Sequence, residues 1–481
     1  MTTTKYMNRQ AKLLAVSILS FVAWSCSTEK LVSNKQHAPS LPEQYRDQGA
    51  VPQAGNIGSI PWRDFFKDPT LQSLIDSAIQ HNLDMQLALK NIEAAQLSLK
   101  QAKASYLPAA QLQIRANSTN PSNNSMNGLS LGQFLGQHHV EDYTASVGLS
   151  WEADLWGKIK SQNTVALASY LQTEEARKLI QTQVVAQVAH GYYQLLMLYT
   201  LRDIAKQNLQ LSDTTLRIVK QQYEVGDISL LALEQVAAQR LSAAALIPDF
   251  EQQIRIQENA IQILSGKLPA QINIVKQLTD VRFPENLATG VPADLLSYRP
   301  DVKQAELAVT GSQAYQQYSK AKMYPSLTIS AEAGVNAFKA SNWFNIPASL
   351  FGAITGSITQ PIFQRKELKT QYELARVEQE KNVMIFKQKV IAAAGEVSDA
   401  LISIQKLKEK QQIALDRTNR LKEATKHANL LFETGMATYL EVITAQSNIL
   451  QSELELAQVS KAELSAVVDL YRSLGGGWSN N

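Results

Sequence analysis

The 481-residue chain has little of several residue types, and each shortage excludes a class of protein. The single cysteine, Cys26, cannot form a disulfide within the chain, which excludes a disulfide-stabilised scaffold. Lysine and arginine number 46 against 43 aspartates and glutamates, so the formal charge of +3 gives no broad basic surface for nucleic acid. The longest nearly uninterrupted apolar run, Leu13–Trp24, has 12 residues. An α-helix needs about 20 such residues to cross the hydrocarbon core, which argues against a bundle of membrane helices.

Proline is missing from two long stretches of the chain. All 15 prolines lie at or before Pro361, with 126 residues between Pro121 and Pro248 and 120 after Pro361. Proline breaks helix interiors, and both stretches are rich in the helix formers Ala, Leu, Gln, Glu and Lys. The sequence therefore predicts very long helices there.

Motifs for catalysis or cofactor binding are also missing. The sequence contains neither GxxxxGK[ST] nor HExxH, and the glycines of Gly475–Gly477 precede no helix. His138 and His139, followed by Glu141, could ligate a metal, but their place just before a predicted strand favours a polar loop. We predict a protein that is not an enzyme and that has no cofactor and no metal site.

The N-terminus has the layout of an export sequence. Lys5, Arg9 and Lys12 precede the apolar run, which is too short for a membrane anchor and fits a secretory signal peptide over residues 1–25.

The apolar run ends just before Cys26 in a segment that resembles the bacterial lipoprotein box. Trp24 is bulkier than the small residue usual at its position. The resemblance implies that the signal peptide is removed before Cys26 and that this cysteine is acylated, which would hold the mature chain at a membrane surface. An unused cysteine in an ordinary signal peptide is the alternative. Residues 26–61, rich in Ser, Gln, Gly and Pro, predict an extended tether.

The chain consists of two copies of one unit. Helical segments end in Tyr106-Leu107-Pro108 and in Met323-Tyr324-Pro325, and the two prolines are 217 residues apart. Apolar and polar residues alternate after each proline and again after a loop, which predicts two strands in each copy. Each unit is therefore helix, strand, strand, long helix, turn and long helix. We place the first repeat at 62–290, with strands at 109–120 and 143–155, and the second at 291–481, with strands at 325–337 and 350–361.

The first long helix would run from Gly157 to Val225, which is 69 residues and on the order of 100 Å. A globular core has no need of a rod of that length. Apolar residues recur at the alternating spacing of coiled-coil packing, diluted by polar ones. In the first copy they are Val184, Val188, Gly191, Leu195, Leu198, Ala205 and Leu209, and in the second Val390, Ala394, Val397, Leu401, Ile404 and Leu415.

The predicted strands have about 10–12 residues, an apolar face and a polar face, which are the dimensions of transmembrane β-strands. Four strands cannot close a barrel, and an open edge in lipid leaves backbone groups unpaired at several kcal/mol each. If the strands span a membrane, the chain must therefore oligomerise. A soluble antiparallel sheet packed on helices has the same alternation and is the alternative.

Taken together, a series of short segments resembles the outer-membrane efflux factor family, the TolC-like ducts, and within it the lipoprotein branch related to NodT. The likeness covers nearly the whole mature chain. It rests on the order and spacing of Trp62–Pro69, Trp151–Gly157, Tyr298–Asp301, Gln360–Phe363, Glu396-Val397 with Asp399–Leu401, and Leu470-Tyr471 with Leu474–Trp478.

The resemblance implies a mainly α fold with a membrane β part. Three chains would form a homotrimer with a 12-stranded β-barrel in the outer membrane of a Gram-negative bacterium, continued by a long α-helical barrel in the periplasm. It also implies a passive exit duct for drugs or other small toxic molecules. The partners would be a periplasmic membrane-fusion adaptor, an inner-membrane pump of the resistance-nodulation-division (RND) type and outer-membrane lipid. The pump would supply the energy, since the chain has no nucleotide motif.

Two sites follow from the resemblance. The adaptor would dock on the turns between the long helices, which are the hairpin tips. These are Gly226, Asp227, Ile228, Ser229 and Leu230 in the first copy, and Gly435, Met436, Ala437, Thr438 and Tyr439 in the second. Ser229 and Thr438 would also act as N-caps.

Family members often narrow the periplasmic end with rings of acidic side chains. The corresponding candidates here are mostly basic or neutral, which puts a cation-selecting ring in doubt, and the basic side chains would serve equally well as a solvated outer face. The candidates are Lys422, Glu423, Lys426 and Asn429.

Two other functions stay open at this point. The same duct could serve protein secretion in a type I system, although the lipoprotein box and the Gly-Gly-Gly-Trp ending favour small-molecule efflux. A surface lipoprotein scaffold of coiled coils without a pore is the second.

Overall fold

The computed structural model describes residues 39–46, 55–134, 136, 138–283 and 287–479. Cys26 and the predicted signal peptide lie outside these residues. The helices of nine or more residues are α1 (Pro69–His81), α2 (Leu83–Ala104), α3 (Met126–Phe134), α4 (Lys158–Glu224), α5 (Leu230–Leu264), α6 (Pro300–Ala321), α7 (Glu367–Glu433) and α8 (Tyr439–Ser473). The strands are β1 (Ala109–Thr119), β2 (Val140–Ala153), β3 (Ser326–Ala337) and β4 (Leu350–Thr359).

Three helices of each copy have equal lengths. α2 and α6 each contain 22 residues, α4 and α7 each contain 67, and α5 and α8 each contain 35. The predicted order of helix, two strands and two long helices in each copy is confirmed. The strands lie within three residues of the segments proposed from the sequence, and β2 begins at Val140 rather than at residue 143.

One antiparallel sheet contains all four strands in the order β1-β2-β3-β4. In its register, apolar residues of each strand pair with apolar residues of the neighbouring strands. Leu149 pairs with Ala110 on one side and with Ala331 on the other, and Ala331 pairs with Ile354. Since side chains alternate between the faces of a strand, one face of the sheet is apolar and the other is polar.

The short helices of each copy stack end to end. The Asn82 side-chain amide, at the start of α2, donates to the Leu264 carbonyl at the end of α5 (2.9 Å), and Arg299 donates to the Ser473 carbonyl at the end of α8 (3.0 Å). Gly266 and Gly475 follow α5 and α8 with φ of +66° and +89°, and a Cβ at either would collide with the backbone just before the stacked helix, at the carbonyl of His81 or of Tyr298. Glycine is therefore needed at both joints.

These stacked pairs and the two long helices form a wall. α4 packs along α2 and α5 on one flank and along α6 and α8 on the other, and α6 and α8 pack in turn along α7. Helices and strands thus follow the same lateral order. α2, α5 and β1 form one margin of the chain, and α7 and β4 form the other.

The seam predicted for α4 is buried from Val184 to Ala205, after which it departs from the prediction. Asn208 rather than Leu209 is buried, because its amide donates to the Gln446 carbonyl of α8. Leu415 of α7 is exposed, and Thr418 takes the buried place with a 2.8 Å hydrogen bond to Ser452. The half of the wall nearer the turns between the long helices is therefore packed partly by small polar side chains, which the periodicity of apolar residues does not reveal.

The predicted tether is shorter than expected from the sequence. Tyr45 and Ile57 are buried, and Asn56 forms an isolated antiparallel bridge with Thr289. Phe65, just beyond, stacks on Tyr471 of α8 with ring centroids 4.0 Å apart. Apolar side chains of this segment pack against the rest of the chain, so residues 39–46 and 55–61 belong to the packed body.

One helix of the described chain, α5, is long and apolar enough to cross a membrane, with a mean hydropathy of 1.3 in its most apolar window. It meets the criterion by length and composition alone, and the core helix of a soluble protein would meet it too. α5 packs along α4 instead, and its exposed Leu241 and Ile256 lie on a margin of the wall.

Candidate functional site: the sheet and the hairpin tips

The apolar face of the sheet lies open. Leu112 is 72% exposed and Ile354 is 83% exposed, and Ile114, Val147 and Ile358 are exposed too. A soluble sheet packed on helices would cover such side chains, and an uncovered apolar surface of this extent marks contact with lipid or another protein. The soluble-sheet alternative therefore does not fit.

The opposite face of the sheet is polar and hydrogen-bonded. The Ser146 hydroxyl donates to Glu332 Oε1 (2.6 Å), and the Asn336 amide donates to Asp142 Oδ1 (2.6 Å). An apolar outer face and a polar inner face are the arrangement of a transmembrane β-barrel with a watery interior.

Aromatic side chains gather where the sheet meets the helices. Trp151 Nε1 donates to the Tyr106 carbonyl (3.0 Å), and Trp156 Nε1 donates to the Pro325 carbonyl (2.7 Å). Trp156 also lies against Tyr324, with ring centroids 5.1 Å apart. Amphipathic rings of this kind are typical of a membrane–water interface, which places that interface at this end of the strands.

The two hairpin tips have the same backbone. Gly226 and Gly435 have φ of +86° and +74° in open space, and each follows its helix as the left-handed residue of a C-terminal cap. The amide of the next residue, Asp227 or Met436, donates back into the helix at 2.9 or 2.8 Å. Ser229 Oγ accepts from the Ala232 amide as an N-cap at the start of α5.

The second tip is capped differently. Glu441 accepts a hydrogen bond from the Thr438 amide at 2.6 Å, so a carboxylate satisfies a backbone donor at the start of α8.

The structure brings the two tips together. Val219, Val236, Phe432 and Val442 form a buried cluster between the hairpins, with Ile228, Leu233, Ala437 and Tyr439 packed around it. The Tyr439 hydroxyl donates to Gln235 Oε1 (2.8 Å) and ties the second tip to α5. Outside the cluster, Val225 and Met436 are 72% and 73% exposed. The paired tips therefore present one apolar end surface.

The candidate constriction residues do not form a group of their own. Lys422 makes an ion pair with Glu453 of α8 at 3.0 Å, and Glu423 and Lys426 are exposed, whereas Asn429 is half-buried. One turn away along α7, Arg417 hydrogen-bonds to Glu455 and holds the pKa of that carboxyl below its usual value. The basic side chains of α7 are thus partly matched by acids of α8, which the sequence of α7 alone does not indicate.

The histidine cluster gives no metal site in the described residues. His139 Nε2 lies 4.0 Å from Glu141 Oε1, and the described ranges contain no group of three or more side chains placed to hold a metal ion.

The structure contains two buried polar joints that local sequence patterns do not identify. Arg299, in the Tyr298–Asp301 segment of the second repeat, contacts α6, α7 and α8. Tyr192 donates to Asp68 at 2.8 Å in the buried middle of the wall, and burial together with that carboxylate raises the pKa of Tyr192. The Arg-Pro-Asp triplet at 299–301 was the one clue to the first joint.

Among known proteins, the chain is similar to several efflux components. The probable outer membrane lipoprotein SilC of Salmonella typhimurium is 27% identical over 477 residues, covering 97% of this chain and 99% of SilC. The toluene efflux pump outer membrane protein TtgF of Pseudomonas putida is 28% identical over 431 residues, covering 89% and 88%. The cation efflux system protein CusC of Escherichia coli O6:H1 is 26% identical over 452 residues, covering 92% and 94%.

Solved structures share the fold over most of the chain. The outer-membrane channel OprN has a TM-score of 0.84 at 21% identity, covering 92% of this chain and 98% of OprN. A crystal structure of CusC has a TM-score of 0.79 at 25% identity, with the same coverage. The family model for outer membrane efflux proteins matches residues 74–267 and 291–476, one segment in each repeat. The chain therefore belongs to the outer membrane efflux protein family.

Proposed function

We propose that three copies of the chain form the exit duct of a tripartite efflux system. The three sheets join into a 12-stranded barrel in the outer membrane, and the three helical walls join into a tunnel through the periplasm. The duct is passive and is not an enzyme. A periplasmic adaptor connects it to an inner-membrane pump of the RND type, which supplies the energy.

The observation that carries the proposal is the pair of open margins. Among the described residues, β1 and β4 each have a neighbouring strand on one side only, and the wall has the same margins, with α2 and α5 on one side and α7 on the other. In lipid an unpaired strand edge costs several kcal/mol for each unsatisfied backbone group. Pairing β4 of one chain with β1 of the next removes every edge, and exposed side chains such as Leu97 and Ile391 at the helical margins become buried by the same closure.

The cargo is a class of small toxic molecules. Relatives of the chain are named for the efflux of toluene, of cations and of antibiotics. The polar inner face of the sheet offers such molecules a watery route. Cys26 carries the lipid that holds the N-terminus at the outer membrane, and the paired hairpin tips are the surface on which the adaptor docks.

Reconstitution tests the proposal. Full-length protein purified from membranes should contain three chains by light scattering and should give discrete conductance steps in planar bilayers. A deletion strain should become more sensitive to at least one class of compound in a drug and metal panel. Purified trimer without conductance would leave the coiled-coil scaffold as the better explanation. A strain that keeps its resistance but loses a secreted protein would point to type I secretion.

A further inference from the structure

Basic residues are concentrated at the helix-side end of the barrel strands. Four segments of twelve residues adjoin the strands at this end, and together they contain nine basic and two acidic residues. They are the segments before β1 (97–108), after β2 (154–165), before β3 (314–325) and after β4 (360–371). Their net charge is 9 − 2 = +7, against +3 for the whole chain. The basic residues, which we call the collar, are Lys100, Lys103, Lys158, Lys160, Lys320, Lys322, Arg365, Lys366 and Lys369.

The other end of the strands has no such charge. The loop between β1 and β2 (120–139) has no lysine, arginine, aspartate or glutamate, and the loop between β3 and β4 (338–349) has only Lys339. The charge therefore distinguishes the two ends of the barrel.

Two margins of the chain hold most of the exposed collar. Lys158 is engaged by Glu152 at 2.7 Å, and Lys322 donates to Gln371 at 3.0 Å. By contrast, Lys100 and Lys103 on α2 are exposed, as are Arg365, Lys366 and Lys369 at the start of α7. In the proposed trimer α2 of one chain lies beside α7 of the next, so these five residues converge at each seam between chains.

Two collar residues hold an unfavourable backbone conformation. Arg365 and Lys366 have φ of +50° and +66°, a region that side chains with a Cβ rarely adopt, and the corresponding turn before α4 uses Gly157 at +71°. Strained residues of this kind are kept mostly where the side chains serve a function.

The side chains beside the collar suit a lipid headgroup layer. Exposed Leu107, Ile362 and Phe363 lie between the apolar face of the sheet and the collar, at the level of the aromatic residues Trp156 and Tyr324. Lysine and arginine one or two turns beyond such a boundary reach the phosphate level while their stems cover apolar surface.

A cavity of about 260 Å³ lies close to the collar, but its charges are mixed. Glu152 and Asp154 line it together with Lys158 and Lys322. The Asp154 carboxylate already accepts from the Ile159 and Lys160 amides at 2.9 Å. The cavity therefore contains both acidic and basic side chains and is a poorer anion site than the exposed basic residues of the collar.

We propose that the collar binds anionic phospholipid of the membrane leaflet that faces the helical part, with the phosphate group between Lys100 and Lys103 of one chain and Arg365, Lys366 and Lys369 of the next. Basic clusters beside a membrane-spanning element attract anionic headgroups and lose that attraction as salt screens it. The inference rests on the proposed trimer, since a single chain contributes only half of each site.

Spin-labelled lipids in vesicles of phosphatidylcholine measure the preference directly. With full-length protein, labelled phosphatidylglycerol should show at least about twice the protein-bound fraction of labelled phosphatidylcholine, and 0.5 M salt should reduce the excess. Replacing the five collar residues at the margins, Lys100, Lys103, Arg365, Lys366 and Lys369, by glutamine should bring the ratio to about one. The matched control replaces five exposed basic residues far from the barrel by glutamine, namely Arg217, Lys220, Arg255, Lys406 and Arg420, and should keep the wild-type ratio.

Conductance of the same vesicles separates the two hypotheses. Conducting trimers with no phosphatidylglycerol preference, or with equal loss in the collar and control variants, would overturn the lipid site and leave the duct intact. Absence of both trimers and conductance would overturn the duct itself and with it the lipid site.

Discussion

Arg299 joins three helices through one buried side chain. It is 6% exposed at the start of α6, where it pairs with Asp301 at 2.7 Å and with Glu396 of α7 at 2.9 Å. Its guanidinium also donates to the Ser473 carbonyl at the end of α8. A planar group with five donors suits this role, because lysine has neither the fork nor the number of donors.

Removing that side chain should cost considerable stability. Arg299→Ala leaves the Asp301 carboxylate and the Ser473 carbonyl without their partner, and breaking a buried pair typically costs about 3–5 kcal/mol. Urea unfolding of the purified protein should show a loss of about 3 kcal/mol or more. The matched control is Arg63→Ala, since Arg63 is 57% exposed in its pair with Asp76 and should cost less than about 1 kcal/mol. Equal losses in both variants would contradict the role of Arg299.

The same joint makes stability depend on pH. Burial alone would raise the pKa of Asp301, but the hydrogen bonds and charge of Arg299 outweigh it and hold that pKa below its usual value. A lowered folded pKa adds stability that is present above about pH 4 and is lost as pH falls through the folded value. Arg299→Ala should therefore flatten the acid side of the stability profile. A profile as steep as that of the wild type would place the acid sensitivity elsewhere.

At the scale of the element, side chains of β4 alternate between the two faces of the sheet, so neighbouring residues would face lipid and water in turn. Ile354 lies on the apolar face across from Ala331, and Thr355 lies on the polar face across from Ser330. Ile354→Arg should destabilise the barrel by about 2–4 kcal/mol if Ile354 lies near the bilayer midplane, because a charged side chain there faces lipid. Thr355→Arg should cost little, since it faces water. Urea titration of barrel unfolding in liposomes measures both, and equal costs would show that the two faces are not in different solvents.

The long helices owe their length to local sequence and their arrangement to distant contacts. Lack of proline and an abundance of helix formers already predicted α4 and α7. The end-to-end stacking of α2 on α5 could not be predicted in the same way. It depends on Asn82, which donates a hydrogen bond to the end of a helix 182 residues later in the chain. Buried polar residues such as Thr418 escaped detection for the same reason, since their partners lie on another helix.

For the whole molecule, the paired tips are the surface through which the duct would meet its adaptor. Val225→Glu with Met436→Glu should abolish efflux while trimers still form, because two carboxylates would disrupt an apolar contact without touching the buried cluster around Phe432. Bulky charged residues at Gly226 or Gly435 should act in the same way. Drug susceptibility of a complemented deletion strain and the trimer band on native gels are the measurements.

A matched control separates docking from a general effect of charge. Leu268→Glu adds a carboxylate at a residue that is 86% exposed beyond the far end of α5, away from the tips, and should leave efflux unchanged. Normal export by the tip variants would remove the tips as the docking surface, and failure of the control would make the tip result uninformative about docking.

The repeat, the long helices, the four strands and the two faces of the sheet could be predicted from the sequence, because these depend on neighbours along the chain and on periods of two and 3.6 residues. Export and lipidation at Cys26 stay predictions from local motifs, as do the docking tips and the constriction.

Four features could be seen only in the folded chain: the lateral order of the wall, the burial of Tyr45, the pairing of Lys422 with Glu453, and the convergence of basic residues from four separate segments into one collar. The physical reason is that each of these depends on segments that are far apart in sequence and close in space. A whole-chain charge of +3 hides a collar of +7 until the fold brings its four segments to one level.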